Sequence, residues 1–152
     1  MGLSNSTPIA SHFEKLKGWT FDRFLNTVTL YEEQGYSFAL TPDDVCVLTG
    51  FSQQEAIDLI FSLTGGKNTR VNAMVLLTVV GVIADSAKDM DAARYLAIFD
   101  LFDFNKSEEL GMDELSILLL CCATGMAAVL NQPLTNMEDP ILLDLTSKIY
   151  RY

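Results

Sequence analysis

Oxygen-bearing side chains recur through one short stretch of this acidic chain. Counted from Asp103 as position 1, Asn105 is at position 3, Ser107 at position 5 and Glu114 at position 12. Oxygen atoms at such a spacing suit a hard cation such as Ca²⁺, which takes six to eight oxygen ligands in a flexible geometry. The stretch therefore predicts a calcium-binding loop, with helices entering and leaving it.

The loop resembles that of the EF-hand superfamily, which has the same ligand order and an apolar residue at position 8, here Leu110. In the family pattern, position 7 contributes its backbone carbonyl, position 9 often acts through water, and position 12 closes the site with two oxygens. The resemblance thus implies one Ca²⁺ site formed by Asp103, Asn105, Ser107, the carbonyl of Glu109, a water at Gly111, and Glu114.

The loop departs from the family pattern at position 6, where Glu108 stands in place of the usual glycine. A left-handed backbone costs a residue with a side chain about 1–2 kcal/mol. Only Asp103 and Glu114 would bring formal charge to the ion. We therefore expect an affinity of about 10 µM or weaker. The alternative interpretation is a loop that maintains the fold without a metal.

The composition favours a partner other than nucleic acid. The formal net charge is −10 and the pI is about 4.3, whereas nucleic-acid-binding surfaces are basic. Residues 85–114 hold nine acids and three bases, an excess of six acids. This predicts either a lobe that attracts cations or a solvated acidic face. The hydrophobic share of 49% indicates either apolar surface for a partner or a dense core.

The cysteines and the histidine give no zinc site or Cys/His catalytic pair, since Cys46, Cys121 and Cys122 lack ligand spacing and His12 is the only histidine. Reduced thiols predict a cytoplasmic protein, with association to the cytoskeleton or a membrane as alternatives. The longest apolar run, residues 115–130, is shorter than the roughly 20 residues of a membrane span. It predicts a buried helix, running from about Met112 through Cys122 and interrupted at Gly125.

The N-terminus matches a lipidation pattern. Residues 1–6 (MGLSNS) carry Gly2 as an acceptor for N-myristoylation and Ser6 at the required place. Membrane binding is predicted only if Gly2 is myristoylated, and chance is the competing explanation of so short a pattern. Residues 1–12 otherwise predict a flexible tail.

A repeated pattern of helix, loop and helix organises the rest of the chain. Loop-like segments at 33–44, 64–75 and 103–114 place Leu40, Val71 and Leu110 at position 8. The ligand positions of the first two have decayed. Helices are predicted from Phe13 or Thr20 to Gln34, from Pro42 after a Thr41 cap, after a Ser52 capping box, over 71–84, over 90–102, from Met112 and over 141–152.

The predicted fold class is all-α, with EF-hand-like helix–loop–helix pairs in two small lobes, calmodulin-like in outline. Residues 1–12 are the tail and residues 13–85 form an N-terminal lobe with two degenerate EF-hands. Residues 86–152 form a C-terminal lobe with the near-consensus hand and a partial fourth one.

The resemblance implies a calcium-binding regulatory protein that binds an amphipathic helix of a partner protein in an apolar groove. The candidate groove residues are Phe99, Phe102, Met112, Leu115, Leu118, Leu119 and Met126. The alternative is a calcium-independent adaptor of the EF-hand fold, such as a light-chain-like subunit of a cytoskeletal or ciliary assembly. An enzyme is not predicted, because no Ser/His/Asp arrangement with a supporting motif, phosphate-binding loop or HExxH motif is found.

Overall fold

The structure is a computed structural model that describes residues 10–84 and 91–130. Within these ranges the chain forms seven α-helices and one pair of short strands. The elements are α1 (Ser11–Lys17), α2 (Phe21–Glu33), β1 (Ala39–Leu40), α3 (Pro42–Thr49), α4 (Gln53–Thr64), β2 (Val71–Asn72), α5 (Ala73–Ile83), α6 (Asp91–Phe102) and α7 (Met112–Val129). The predicted all-α class is confirmed. Gly2 and the predicted helix over 141–152 lie outside the described residues.

Two predicted helix starts are confirmed by their capping hydrogen bonds. The Thr41 hydroxyl accepts from the N–H of Asp44 at 3.2 Å, and the Asp44 carboxylate accepts from the N–H of Thr41 at 2.9 Å. Ser52 and Glu55 make the same reciprocal pair, with both distances 3.2 Å. Pro42 occupies the first turn of α3. Each cap stabilises its helix by about 1 kcal/mol, so α3 and α4 begin where local chemistry dictates.

Of the two predicted starts of the first helix, Thr20 is confirmed and Phe13 is not, because residues 11–17 form the separate helix α1. The break lies after Lys17, and Thr20 caps α2 by accepting from the N–H of Arg23 at 3.2 Å. The Arg23 guanidinium lies 4.1 Å from the ring centroid of Trp19, in a cation–π contact, and Trp19 is buried. Packing of these side chains favours the turn over a continuous helix. Ser11, at the end of the predicted tail, already belongs to α1.

His12 in α1 is buried, with its Nε2 lacking a hydrogen-bond partner in the described part of the chain. Burial lowers the pKa of His12 from its ordinary value of 6.5, and the carboxylates of Asp58 and Glu55 partly offset that effect. The unfolded chain therefore binds this proton more readily than the folded one. Stability associated with neutral His12 is complete above pH 6.5 and is lost as the pH falls through the lowered folded value.

We expect His12→Phe to be more acid-tolerant than the wild type for this reason. The unfolding free energy, measured by urea denaturation, should fall less in the variant than in the wild type as the pH is lowered from about 7.5 to about 5. A difference that does not change with pH would contradict a neutral, buried His12.

The two strands join the first two predicted loops. Leu40 pairs with Val71 in antiparallel register, and Ala39 pairs with Asn72. The prediction of helix from Val71 is therefore wrong at its first two residues, because their backbone is engaged with β1. Helix α5 begins instead at Ala73, capped by the Asn72 side chain, which accepts from the N–H of Met74 at 2.8 Å. The paired residues Leu40 and Val71 are those predicted at position 8 of their loops.

Helix α5 is the central element of the core. Its nine residues from Ala73 to Gly81 are buried, and α1, α2, α6 and α7 all pack against it. Buried residues before 85 and after 90 belong to one continuous hydrophobic cluster. The predicted boundary between two lobes falls at 85/86, outside the described residues, and the division into lobes stays a prediction.

Helix α7 differs from its prediction in length and in burial. It continues through Gly125 to Val129 because Gly125 is packed against α5 rather than ending the helix. Only Cys121, Gly125 and Val129 are buried, one residue per turn, and Ile117 is 41% exposed. With 18 residues and a mean hydropathy of 1.6, α7 meets the length and composition of a membrane-crossing helix. Core helices of soluble proteins meet the same test, so no location follows from it.

Candidate functional site

The predicted calcium loop connects α6 to α7, and its first residue is buried. Phe102 ends α6 fully buried, and the following Asp103 is only 4% exposed, which is rare for a carboxylate. Asp103 Oδ1 accepts from Ser107 N at 3.1 Å, and Asp103 Oδ2 accepts from Glu108 N at 2.8 Å. These bonds fold the first half of the loop around one negative charge.

Ser107 hydrogen-bonds to three of the other four predicted ligands, Asp103, Asn105 and Glu109. Its N–H also donates to Asn105 Oδ1 at 3.1 Å, and its hydroxyl donates to the carbonyl of Glu109 at 2.9 Å. The same hydroxyl lies 3.4 Å from Asp103 Oδ1. The oxygens of Asp103, Asn105, Ser107 and Glu109 are thus linked through one residue. Their candidate ligand atoms are all oxygens, and the N–H and hydroxyl of Ser107 hold them together.

Glu114, the fifth predicted ligand, has different partners. Its Oε1 accepts from Gly111 N at 3.0 Å, and its Oε2 accepts from Phe104 N at 2.7 Å. Position 12 therefore connects position 9 to position 2, while no hydrogen bond in the described chain joins it to the Ser107 cluster. As Glu114 lies in the first turn of α7, its negative charge is also favourable at that helix end. One carboxylate side chain links the start of the loop to the exit helix.

The loop carries backbone strain at two residues. Glu108 has φ of 67°, the left-handed conformation predicted for position 6. Lys106 has φ of 54°, which sequence reasoning missed, since no glycine or asparagine marks position 4. For residues with a Cβ each conformation costs on the order of 1–2 kcal/mol. The hydrogen bonds to Asp103 from Ser107 and Glu108 hold this shape.

Replacing Glu108 with Gly is expected to relieve strain. The N–H that donates to Asp103 is retained, so Glu108→Gly should raise the free energy of unfolding by about 1 kcal/mol and tighten calcium binding. Glu109→Gly is the matched control, because it removes the same charge from a residue whose φ is not positive. Urea unfolding and calcium titration of both variants test this. Equal effects from both would contradict strain at Glu108.

The donor chemistry of the loop fits calcium better than a softer metal. Its candidate ligands are carboxylate, amide, hydroxyl and carbonyl oxygens, the set that Ca²⁺ prefers. In the described ranges no three His, Cys, Asp or Glu residues gather as a metal cluster. A site here therefore depends on the neutral oxygens of Asn105, Ser107 and Glu109 beside two carboxylates. To accept a cation, the Ser107 hydroxyl would direct its proton away from the Glu109 carbonyl.

The other two loops use their polar groups for folding. At position 12 of the first, Asp44 is engaged in the cap of α3. At position 12 of the second, Val75 is a buried core residue of α5. Thr64, at position 1 of the second loop, donates to the carbonyl of Ile60 at 2.8 Å. Both loops are thus held by caps and packing.

An aromatic contact links the predicted calcium loop to the first loop. Phe104, at position 2, meets Phe38 edge to face with 6.5 Å between ring centroids. Phe104 also packs on buried Phe102 at 6.1 Å. Sequence reasoning missed this contact. The only hint of it in the sequence is that each of the two loops contains a phenylalanine. The predicted calcium loop thereby contacts the first loop next to β1.

An apolar groove lies between α6 and α7, which we name the α6–α7 groove. Its volume is about 410 Å³, and it is lined by Val82, Tyr95, Ile98, Phe99, Leu110, Leu115, Leu118 and Cys122. Three predicted groove residues, Phe99, Leu115 and Leu118, line it. Phe102 is fully buried in the core, and Met112, Leu119 and Met126 do not line this groove. The groove adjoins the predicted calcium loop at Leu110, position 8 of that loop.

Comparison with known proteins adds no relative. No family model matches the sequence, and neither curated proteins nor solved structures give a match. The loop and the α6–α7 groove are therefore the features that indicate a function.

Proposed function

We propose that this protein is an EF-hand calcium-binding regulatory protein that binds an amphipathic helix of a partner protein. The observation that carries the proposal is the clustering of four predicted oxygen ligands around Ser107, in a loop held between α6 and α7. The antiparallel pairing of Leu40 with Val71 supports it, since it joins the first two predicted loops through the residues at position 8 of each. The proposed ligands are Asp103, Asn105, Ser107, Glu109 and Glu114.

The hydrogen bonds of Glu114 suggest how binding would be transmitted. Bound calcium would supply positive charge to compensate the buried Asp103 carboxylate. For Glu114 to join the same site, its carboxylate would move toward the Ser107 cluster, in competition with its hydrogen bonds to Phe104 N and Gly111 N. Because Glu114 is in the first turn of α7, that change would shift the helix that carries Leu115 and Leu118. The proposed output is therefore a change in the shape of the α6–α7 groove.

A second candidate function, a calcium-independent adaptor, is favoured by a specific observation. All four carboxylate oxygens of Asp103 and Glu114 already accept N–H groups of the loop backbone. Such a network can hold α6 and α7 in place without an ion. The groove would then hold its partner helix constitutively, as a light-chain-like subunit of a cytoskeletal or ciliary assembly would.

The acidic charge of the chain indicates which kind of partner it would bind. The net charge of −10 favours a basic amphipathic helix and disfavours nucleic acid. We propose a cytoplasmic, non-enzymatic protein, with association to the cytoskeleton as the alternative. Membrane association would follow only from myristoylation of Gly2.

Binding of a labelled model peptide separates the two functions. The probe is a designed Leu/Lys helix with leucines at i, i+3, i+4 and i+7, titrated with protein by fluorescence anisotropy in calcium and in chelator. Leu118→Asp should weaken binding at least about tenfold, because burying a carboxylate costs more than 1.4 kcal/mol. Leu120→Asp is the control, on the same helix but 43% exposed and outside the groove. Binding lost in chelator supports the regulator, and binding unchanged in chelator supports the adaptor. Equal effects of the two variants would contradict the groove.

A further inference from the structure

The α6–α7 groove presents apolar surface that a covering element would remove from water. Tyr95 on α6 is 64% exposed, and Cys122 on α7 is half-buried. Burial of such surface contributes about 25 cal/mol per Å². A groove lined by aliphatic, aromatic and thiol groups therefore favours a helix with one apolar face.

Residues 141–152 of the same chain have such a face. At 100° per residue, five of their apolar side chains fall within an arc of about 100°. These are Ile141, Leu142, Leu145, Ile149 and Tyr152. The charged side chains Asp144, Lys148 and Arg151 fall together on another side. Pro140 precedes the segment, at a place suited to the first turn of a helix.

The charge of this segment complements the groove region. Residues 91–114 contain seven acids and two bases, whereas residues 141–152 contain one acid and two bases. The side chains of the segment therefore carry a net charge of +1 (2 − 1) in a chain of net charge −10. Opposite charges of this kind favour association and orientation more than they add affinity.

The chain is long enough for the segment to reach the groove of its own molecule. From Val129, near the end of α7, Leu118 lies about 16 Å back along the helix. Residues 131–140 can extend to about 33 Å. A tethered segment also has an effective concentration in the millimolar range. Docking within one molecule is thus favoured over docking onto a second copy.

We propose that residues 141–152 bind as an amphipathic helix in the α6–α7 groove of the same molecule, with Leu145 and Ile149 inserted between α6 and α7. A partner helix would then have to displace this segment. The inference depends on the proposed function only for that competition, because the contact within the molecule requires neither calcium nor a partner.

Cys122 gives a direct test, since it lines the groove. The background is full-length protein with Cys46→Ser and Cys121→Ala, and the readout is the rate of Cys122 modification by a neutral disulfide reagent at one pH. Leu145→Asp and Ile149→Asp should each raise that rate at least about tenfold, because a carboxylate opposes docking by more than 1.4 kcal/mol. Ser147→Asp, on the opposite side of the predicted helix, should leave the rate unchanged.

Equal rates in all four proteins, with helix content unchanged by circular dichroism, would overturn the proposal. So would a rate in the parent that falls as protein concentration rises, which indicates a second copy in the groove. A second variant, Leu145→Cys, should form a disulfide with Cys122 within the monomer on oxidation, whereas Ser147→Cys should not. Calcium titration of the full-length protein is independent of these rates, so the proposed function stands even if residues 141–152 do not bind the groove.

Discussion

Replacing Glu114 with Gln is expected to weaken calcium binding at least about tenfold, or to abolish it. The substitution keeps the shape of the side chain but removes one of the two carboxylates proposed to face the ion. At a few Å the attraction between opposite charges near a protein surface is about 4 kcal/mol, well above the 1.4 kcal/mol that corresponds to tenfold in affinity. The measurement is a calcium titration of wild type and variant under identical ionic strength.

Glu109→Gln is the matched control for this prediction. It removes one charge from the same loop, but Glu109 is proposed to contribute only its backbone carbonyl. We expect only a small loss of calcium affinity, because the negative charge around the site is lower by one and the lost charge is not in contact with the ion. An affinity unchanged in Glu114→Gln, or a loss as large in Glu109→Gln, would contradict the assignment of Glu114 as the closing ligand.

The second large effect is expected at the crossing of α5 and α7. A Cβ added to Gly125 would stand 2.0 Å from Val79 Cγ2, a distance that forces the helices or the valine to move. Overpacking of this kind costs about 1–3 kcal/mol, more than the roughly 1 kcal/mol that alanine gains over glycine in a helix. Gly125→Ala should therefore lower the free energy of unfolding, measured by urea denaturation followed by circular dichroism.

Two other glycines supply the comparison series. At Gly81 the nearest atoms to an added Cβ are Phe24 Cζ at 2.8 Å and Ile98 Cγ1 at 3.0 Å, which is less close than the 2.0 Å at Gly125, so Gly81→Ala should cost less. At Gly18 the nearest atom is 3.5 Å away, and Gly18→Ala should be neutral or stabilising. Equal stability of the Gly18 and Gly125 variants would contradict the close packing of α7 on α5.

The parts of the fold that follow from local chemistry could be predicted from sequence. The caps at Thr41 and Ser52 depend on residues three positions apart, and both are found. The need for a left-handed residue at Glu108 was predicted from loop position alone. The extent of α7 was not, because Gly125 breaks an isolated helix but fits against Val79 here. This contact joins residues 46 positions apart and cannot be inferred from the sequence of either segment.

In the candidate site, too, features set by local sequence could be predicted and features set by tertiary contacts could not. The spacing of Asp103, Asn105 and Ser107 predicted residues that the structure brings together, since they lie in one tight turn. The partners of Glu114 could not be predicted, because they depend on the direction in which α7 leaves the loop. The strand character of Val71 was missed for a similar reason, as it comes from pairing with Leu40.

Calorimetric titration of the full-length protein with calcium, at a physiological magnesium concentration, tests the central claim most directly. The proposed regulator predicts one site with a dissociation constant of about 10 µM or weaker. The heat should be lost in Glu114→Gln and should shift to lower calcium in Glu108→Gly. No heat up to millimolar calcium, from a protein whose helix content is intact, would contradict the calcium site and favour the adaptor.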